Sequence, residues 1–122
     1  MTWDPTDAAR ITAPQEVQVR TRHRDGTLGR PRTIWIVGDA ARVFVRSTNG
    51  RSAAWFRGAT ASGEGQVVAA GTAYDVTFTE AAEADLPTVD AAYRSKYGHY
   101  PSIVDHLIEG GPRSATLQVH PA

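Results

Sequence analysis

The sequence of 122 residues contains no cysteine. This absence excludes disulfides, cysteine-ligated metals and a thiol nucleophile, and it fits a reducing cytosol. No apolar run approaches the roughly 18 residues that span a bilayer, and the first residues lack the basic and apolar regions of a signal peptide. We therefore expect one cytoplasmic domain over residues 1–122 without membrane contact, in which residues 1–14 form a lead-in segment.

Familiar catalytic motifs are also missing. The sequence has no P-loop, no G-x-G-x-x-G, no G-x-S-x-G elbow and no H-E-x-x-H. The four histidines lie far apart in the chain. We therefore predict no metal site and name no catalytic residue, which is consistent with a protein whose chemistry resides in an organic cofactor.

The formal net charge is zero, but the charges are segregated along the chain. Residues 10–57 carry ten arginines against three acids, a net charge of +7, and the remainder carries −7. A GC-rich genome explains the excess of arginine over lysine, but it does not explain the position of the arginines. Because arginine forms bidentate contacts with phosphate, the pattern favours one small anionic ligand. The acidic second half disfavours nucleic acid.

Short apolar runs predict six strands in an antiparallel arrangement. They lie near residues 16–22, 33–37, 42–46, 66–70, 73–80 and 114–120. The continuous apolar run at 33–37 predicts a central strand buried on both faces. Helical patterns begin near residue 53 and cover 86–97 and 103–109, with a further turn considered at 6–11. A small closed or partly closed barrel would remove the edges of such a sheet.

The segment of residues 46–52 lies between a predicted strand and a predicted helix start. It combines a glycine, three hydroxyls, an amide and two guanidinium groups. Free N–H groups at a helix start with arginine nearby can bind a phosphate. The alternative is a helix start with exposed arginines and no ligand.

Residues 43–58 read V-F-V-R-S-T-N-G-R-S-A-A-W-F-R-G. This run resembles a segment of flavin-binding split-barrel proteins of the deazaflavin-dependent nitroreductase-like and pyridoxamine-phosphate-oxidase-like kinds. Over residues 16–120 the chain is similar to the bacterial family DUF2255, which shares the T-I-W-I strand and the A-A-Y-R-x-K-Y-G helix. The resemblance implies a mainly β, α+β fold: a six-stranded antiparallel split β-barrel with two to three short helices, usually a homodimer.

The resemblance also implies FMN or a 5-deazaflavin bound near the dimer interface. Residues of the third strand and its loop would hold the phosphate; these are Arg46, Ser47, Asn49, Gly50, Arg51 and Ser52. The second strand would lie beside the ring, with Arg32, Thr33, Ile34 and Trp35. Trp55 and Arg57 would stand at the helix start. As alternatives, Trp35 belongs to the core and Trp55 plugs the barrel end.

Two functions follow from these observations. We favour a flavin- or deazaflavin-dependent oxidoreductase acting on a small organic substrate. The alternative is a non-catalytic split-barrel protein without such a cofactor, which holds another anionic small ligand or a partner protein. The sequence identifies neither the substrate nor the choice between FMN and a deazaflavin.

Overall fold

The computed structural model describes residues 2–122, so residue 1 of the predicted lead-in segment lies outside the described part. These residues form seven strands: β1 (Val17–Thr21), β2 (Arg32–Ile34), β3 (Ile36–Asp39), β4 (Arg42–Arg46), β5 (Glu64–Ala69), β6 (Thr72–Glu80) and β7 (Thr116–Pro121). They form five α-helices: α1 (Pro5–Thr12), α2 (Ala54–Ser62), α3 (Leu86–Tyr97), α4 (Pro101–Ile108) and α5 (Gly110–Ser114). Short 3₁₀ turns cover Gly50–Ser52 and Glu83–Asp85.

The strands form one antiparallel sheet in the order β2-β1-β5-β6-β7-β4-β3. The two edge strands, β2 and β3, are consecutive in the chain and only Trp35 separates them. Ile34 pairs with Val17 of β1, whereas Ile36 pairs with Val45 of β4. One extended segment therefore joins both edges of the sheet and nearly closes it into a barrel.

This arrangement corrects the prediction of six strands with a central strand at 33–37. The run divides at Trp35 because the chain changes its pairing partner there, and each half has one neighbouring strand. Only Ile36 and Val37 of the run are buried, while Thr33 is exposed. The run is thus a seam between the two edges of the sheet, not its centre.

The prediction of two to three helices is also too low. The lead-in segment forms α1, which buries Ala8 and Ile11 against the barrel. The Gly-Gly-Pro segment that follows the helix predicted at 103–109 forms a further short helix, α5. Pro112 is tolerated there because the first turn of a helix does not need its N–H group. Among residues 2–122, no helix has the length and apolar character that crossing a bilayer requires.

Two hydrophobic clusters stabilise the fold, and β4 contributes to both. Val43 and Val45 pack in the barrel interior with residues of the other strands, α1 and α2. Phe44 faces the opposite way and packs against Tyr93 and Tyr97 of α3 and residues of α4. The second cluster holds α3 and α4 against the β3–β4 end of the sheet, and this packing places α4 beside the seam at Trp35.

Candidate functional site

A cavity of about 250 Å³ lies where the seam meets α4. We call it the tryptophan cavity; its lining residues are Glu16, Thr33, Ile34, Trp35, Arg46, Thr48, Ile103 and Leu107. It brings residues of the predicted ring strand, Thr33, Ile34 and Trp35, together with Arg46 at the end of β4. Sequence reasoning did not select Glu16, Thr48, Ile103 or Leu107, because no local pattern indicates that α4 covers the seam.

Trp35 forms one wall of this cavity within a stack of aromatic rings. Its indole lies parallel to the ring of Tyr97, with centroids 3.9 Å apart and planes 3° apart, and Tyr100 lies 5.7 Å away. Tyr100 and Ile103 are large apolar side chains that remain 37% and 45% exposed. The expectation that Trp35 is a core residue therefore holds for one face of its ring, and the rest of the ring meets the cavity.

Tyr97 and Lys96 hold the segment before β1 in place. The Tyr97 hydroxyl donates to the carbonyl oxygen of Gln15, and burial raises the pKa of Tyr97 to about 12. Lys96 Nζ donates to the carbonyl oxygens of Thr12, Pro14 and Ile36 at 2.6, 2.7 and 2.7 Å. Burial lowers the pKa of Lys96 to about 8, while its three acceptors favour the charged form. The segment that carries Glu16 is thus anchored to α3 and β3.

Arg46 is buried and its guanidinium already has partners. Nε donates to Thr116 Oγ1 at 2.8 Å, and Nη1 and Nη2 donate to the carbonyl oxygens of Leu107 and Leu86. Nη1 also lies 2.6 Å from Asp90 Oδ1. Every guanidinium nitrogen therefore has an acceptor within the fold, and a phosphate at Arg46 would compete with Asp90 for its charge.

The phenol of Tyr93 lies beneath this buried ion pair. The Arg46 guanidinium is 5.5 Å from the centre of the Tyr93 ring. Burial strongly raises the pKa of Tyr93, and its hydroxyl has no hydrogen-bond partner among the described residues. Asp90 also accepts from Arg113 at 3.0 Å. The pair is therefore part of a charge cluster that ties β4 to α3 and α5.

The other loop residues predicted to bind phosphate are mostly engaged in the fold. Arg51 pairs with Glu80 at 2.6 Å and donates to the Ser114 carbonyl at 2.7 Å, and this pair lowers the pKa of Glu80. Gly50 adopts φ +71°, which favours glycine. Ser52 Oγ donates to the carbonyl of Asn49, which is exposed. The Oγ of Ser47 is buried without a hydrogen-bond partner in the described chain.

Arg32 and Trp55 meet elsewhere, at a second cavity of about 230 Å³. We call it the arginine cavity; its lining residues are Thr21, His23, Gly29, Arg30, Arg32, Ala54 and Trp55. Arg30, Arg32 and the nearby Arg57 form no ion pair or side-chain hydrogen bond with described residues. Arg30 and His23 are not among the predicted site residues, although the R-P-R run at 30–32 places two arginines close together in the sequence.

The start of α2 adds to the positive potential of the arginine cavity. Its N-cap residue, Ala53, provides no side-chain hydrogen bond, so the first N–H groups of the helix lack partners in the described chain. The helix dipole also favours a negative charge at this end. Trp55 is half-buried against the barrel core, in keeping with the expected plug at the barrel end. Residues 2–122 contain no group of three His, Asp or Glu side chains able to hold a metal.

A family profile described as "Uncharacterized protein conserved in bacteria (DUF2255)" matches residues 7–119. The chain belongs to the DUF2255 family. This confirms the resemblance drawn from the T-I-W-I strand and the segment at 43–58. No curated protein matches this DUF2255 chain at a significant level.

Three solved structures have a fold similar to that of this chain. A Listeria innocua protein assigned provisionally as a pyridoxamine 5′-phosphate oxidase has 10% identity and a TM-score of 0.59, with 93% of this chain and 87% of that chain covered. A conserved hypothetical protein of Mycobacterium tuberculosis has 11% identity and a TM-score of 0.62, with 98% and 79% covered. An FAD-binding protein of Mesorhizobium loti has 16% identity and a TM-score of 0.56, with 98% and 88% covered. At these identities the likeness shows the fold of the DUF2255 chain.

Proposed function

We propose that this DUF2255 protein binds a flavin-type cofactor along β2 and acts as an oxidoreductase on a small organic substrate. The observation that carries the proposal is the position of β2 between two cavities of different character. One end, at Trp35, is apolar and aromatic, and the other end, at Arg32, is cationic. The FAD-binding and pyridoxamine-phosphate-oxidase-like proteins that share the fold support this proposal.

The residues present fit the two ends of such a cofactor. Arg32 and Trp35 are three residues apart on an extended segment, which corresponds to about 10 Å. Their side chains leave opposite faces of the segment, so one molecule that contacts both would cross the edge of the sheet at β2. Arg30 and Arg32 have no carboxylate partner to release. They are therefore better placed for a phosphate than Arg46 and Arg51, which are paired with Asp90 and Glu80.

The ring end would lie against Thr33, Ile34 and Trp35, beside the tryptophan cavity. Aromatic rings prefer stacked or edge contacts with other rings, and Tyr97 holds the indole of Trp35 in one orientation. A bound flavin or deazaflavin would supply hydride transfer, and the side chains would orient it and exclude water. The tryptophan cavity, near the small end of ligand sites at about 300 Å³, would receive the substrate. We also propose that the protein forms a homodimer.

Titration with FMN, FAD and a 5-deazaflavin, followed by cofactor fluorescence, tests the proposal. We expect saturable binding of at least one of them. The double change Arg30→Ala and Arg32→Ala should weaken binding by about 100-fold or more, because each charged hydrogen bond contributes about 1.5–3 kcal/mol and every 1.4 kcal/mol is a factor of about ten. Arg24→Ala is the matched control, since this exposed arginine lines neither cavity. Absence of binding, or an equal loss in the control, would contradict the proposal.

A second candidate function rests on the arginine cavity alone. This cavity has unpaired guanidinium groups and a helix start, so it could hold an anionic small molecule without an aromatic ring. The affinity for riboflavin, which has the aromatic ring but lacks the phosphate, separates the two candidates. Tight binding of inorganic phosphate or a phosphorylated compound, with no preference for FMN over a non-aromatic phosphate ester, would favour the non-catalytic binding protein.

A further inference from the structure

The two ends of the β1–β2 ladder differ in charge. His23, Arg30 and Arg32 lie at one end, by the arginine cavity. Glu16 lies at the other end, next to Val17, which pairs with Ile34. Its carboxylate lines the tryptophan cavity and has no ion pair or side-chain hydrogen bond within residues 2–122. This exposed carboxylate has no protein partner to release, so it is available to a ligand of opposite charge.

The cationic residue on the same wall is not available to a ligand. The guanidinium side chain of Arg46 has 0% exposure and is paired with Asp90. Glu16, in contrast, is exposed, and its charge lies close enough to Tyr97 to add to the raised pKa of that phenol, which is caused mainly by burial. The charge that an incoming molecule meets in this cavity is therefore the negative charge of Glu16.

The remaining wall suits a cation with a compact apolar body. Trp35 offers the part of its indole that Tyr97 does not cover, and aromatic rings attract cations that lie close to their faces. Ile34, Ile103 and Leu107 supply apolar contacts, and Thr33 and Thr48 supply hydroxyls.

We propose that the tryptophan cavity takes small organic cations, such as primary amines or amidines, with Glu16 as the partner of the charged nitrogen. Binding of such cations depends on Glu16, on Trp35 and on the pairing of Arg46 with Asp90. That they are substrates rests on the proposed function, because only that function makes the occupant of this cavity a substrate.

Three probes of similar size and different charge test the proposal on the full chain without flavin. They are benzylamine, benzyl alcohol and benzoate, with binding followed by NMR shifts of the tryptophan indole N–H groups. We expect benzylamine to bind about three- to fivefold more tightly than benzyl alcohol, because an exposed charge pair contributes up to about 1 kcal/mol, and benzoate to bind most weakly. The preference should decrease as salt is added.

Glu16→Gln should bring the affinities for benzylamine and benzyl alcohol within about twofold of each other, because the charge pair is lost while the apolar wall remains. Glu64→Gln removes the same charge from an exposed site outside the cavity and should leave the preference intact. Benzoate binding as tightly as benzylamine, a preference that persists in Glu16→Gln, or no saturable binding of any probe would overturn the proposal. Failure of flavin to bind, with the amine preference intact, would refute the proposed cofactor but not this site.

Discussion

Replacing Arg46 with methionine separates a structural role of this arginine from a role in binding phosphate. Methionine keeps an unbranched apolar side chain of similar length but removes the charge and all donors. The change leaves Asp90 with Arg113 as its remaining charged partner, and it leaves Thr116 Oγ1 and the Leu107 carbonyl without their donor. If the structural role dominates, the folded state loses stability and the cofactor affinity does not change.

The size of the expected loss of stability follows from the burial of the Arg46–Asp90 pair. Two unit charges about 4 Å apart interact by about 4 kcal/mol at an effective dielectric constant of 20, and loss of one partner of a buried pair costs about 3–5 kcal/mol. Because Arg113 still contacts Asp90 at 3.0 Å, we expect a loss in the lower part of that range, about 3 kcal/mol. In urea this corresponds to a midpoint lower by about 1–2 M.

Urea unfolding followed by far-UV circular dichroism measures this loss, and Arg94→Met is the matched control. Arg94 and Asp105 are 3.7 Å apart and more than half exposed, so their pair should contribute less than about 1 kcal/mol. A loss in Arg46→Met no larger than in the control would refute the structural role. If Arg46→Met also bound FMN much more weakly than the wild type, Arg46 would be a phosphate ligand, as the resemblance implied. Thr116→Val, which removes one acceptor, is a milder variant should Arg46→Met fail to fold.

Two further changes test the fold. Gly65→Ala should prevent stable folding, because the new Cβ would overlap the Arg20 carbonyl oxygen and lie 2.9 Å from Phe78 Cε2. The packed β1–β5 pair cannot move apart to relieve this overlap. Thermal unfolding measures the effect, and a variant as stable as the wild type would contradict the prediction. Glu80→Gln should remove a small stabilisation that is present above the ordinary glutamate pKa and is lost as pH falls through the lowered pKa of Glu80. The loss of unfolding free energy should be at most about 1 kcal/mol for this half-exposed pair. The difference in urea midpoint between the wild type and Glu80→Gln should therefore shrink from pH 6 to pH 3, and a difference that does not change with pH would contradict the prediction.

The segregation of charge along the sequence is partly compensated in space, through three of the ten arginines in residues 10–57. Arginines of β4 and of the following loop pair with acids of the second half; these pairs are Arg42–Asp85, Arg46–Asp90 and Arg51–Glu80. Among the arginines without acidic partners, Arg30 and Arg32 line the arginine cavity and Arg57 lies in α2. Arg30 and Arg32 are therefore free of acidic partners, unlike Arg46 and Arg51, and this is why we propose that an anionic ligand would bind there.

Local patterns in the sequence were sufficient for five of the seven strands, for α3 and for the family. Alternation in β1 and β6, and the spacing of Val89, Tyr93 and Tyr97, report which face of an element is apolar, and this depends only on neighbours along the chain. The motif at 43–58 likewise needed no three-dimensional information to indicate the family.

Only the tertiary structure decided where the seam runs and which charges are free. Periodicity does not specify the pairing partner of a strand, so the change of partner at Trp35, and with it the seventh strand, has no local signature. Ion pairing depends on distance in space, so Asp90, 44 residues after Arg46 in the sequence, could not be recognised as its partner. Glu16 and Ile103 share a cavity for the same reason: packing of α4 against the barrel brings them together.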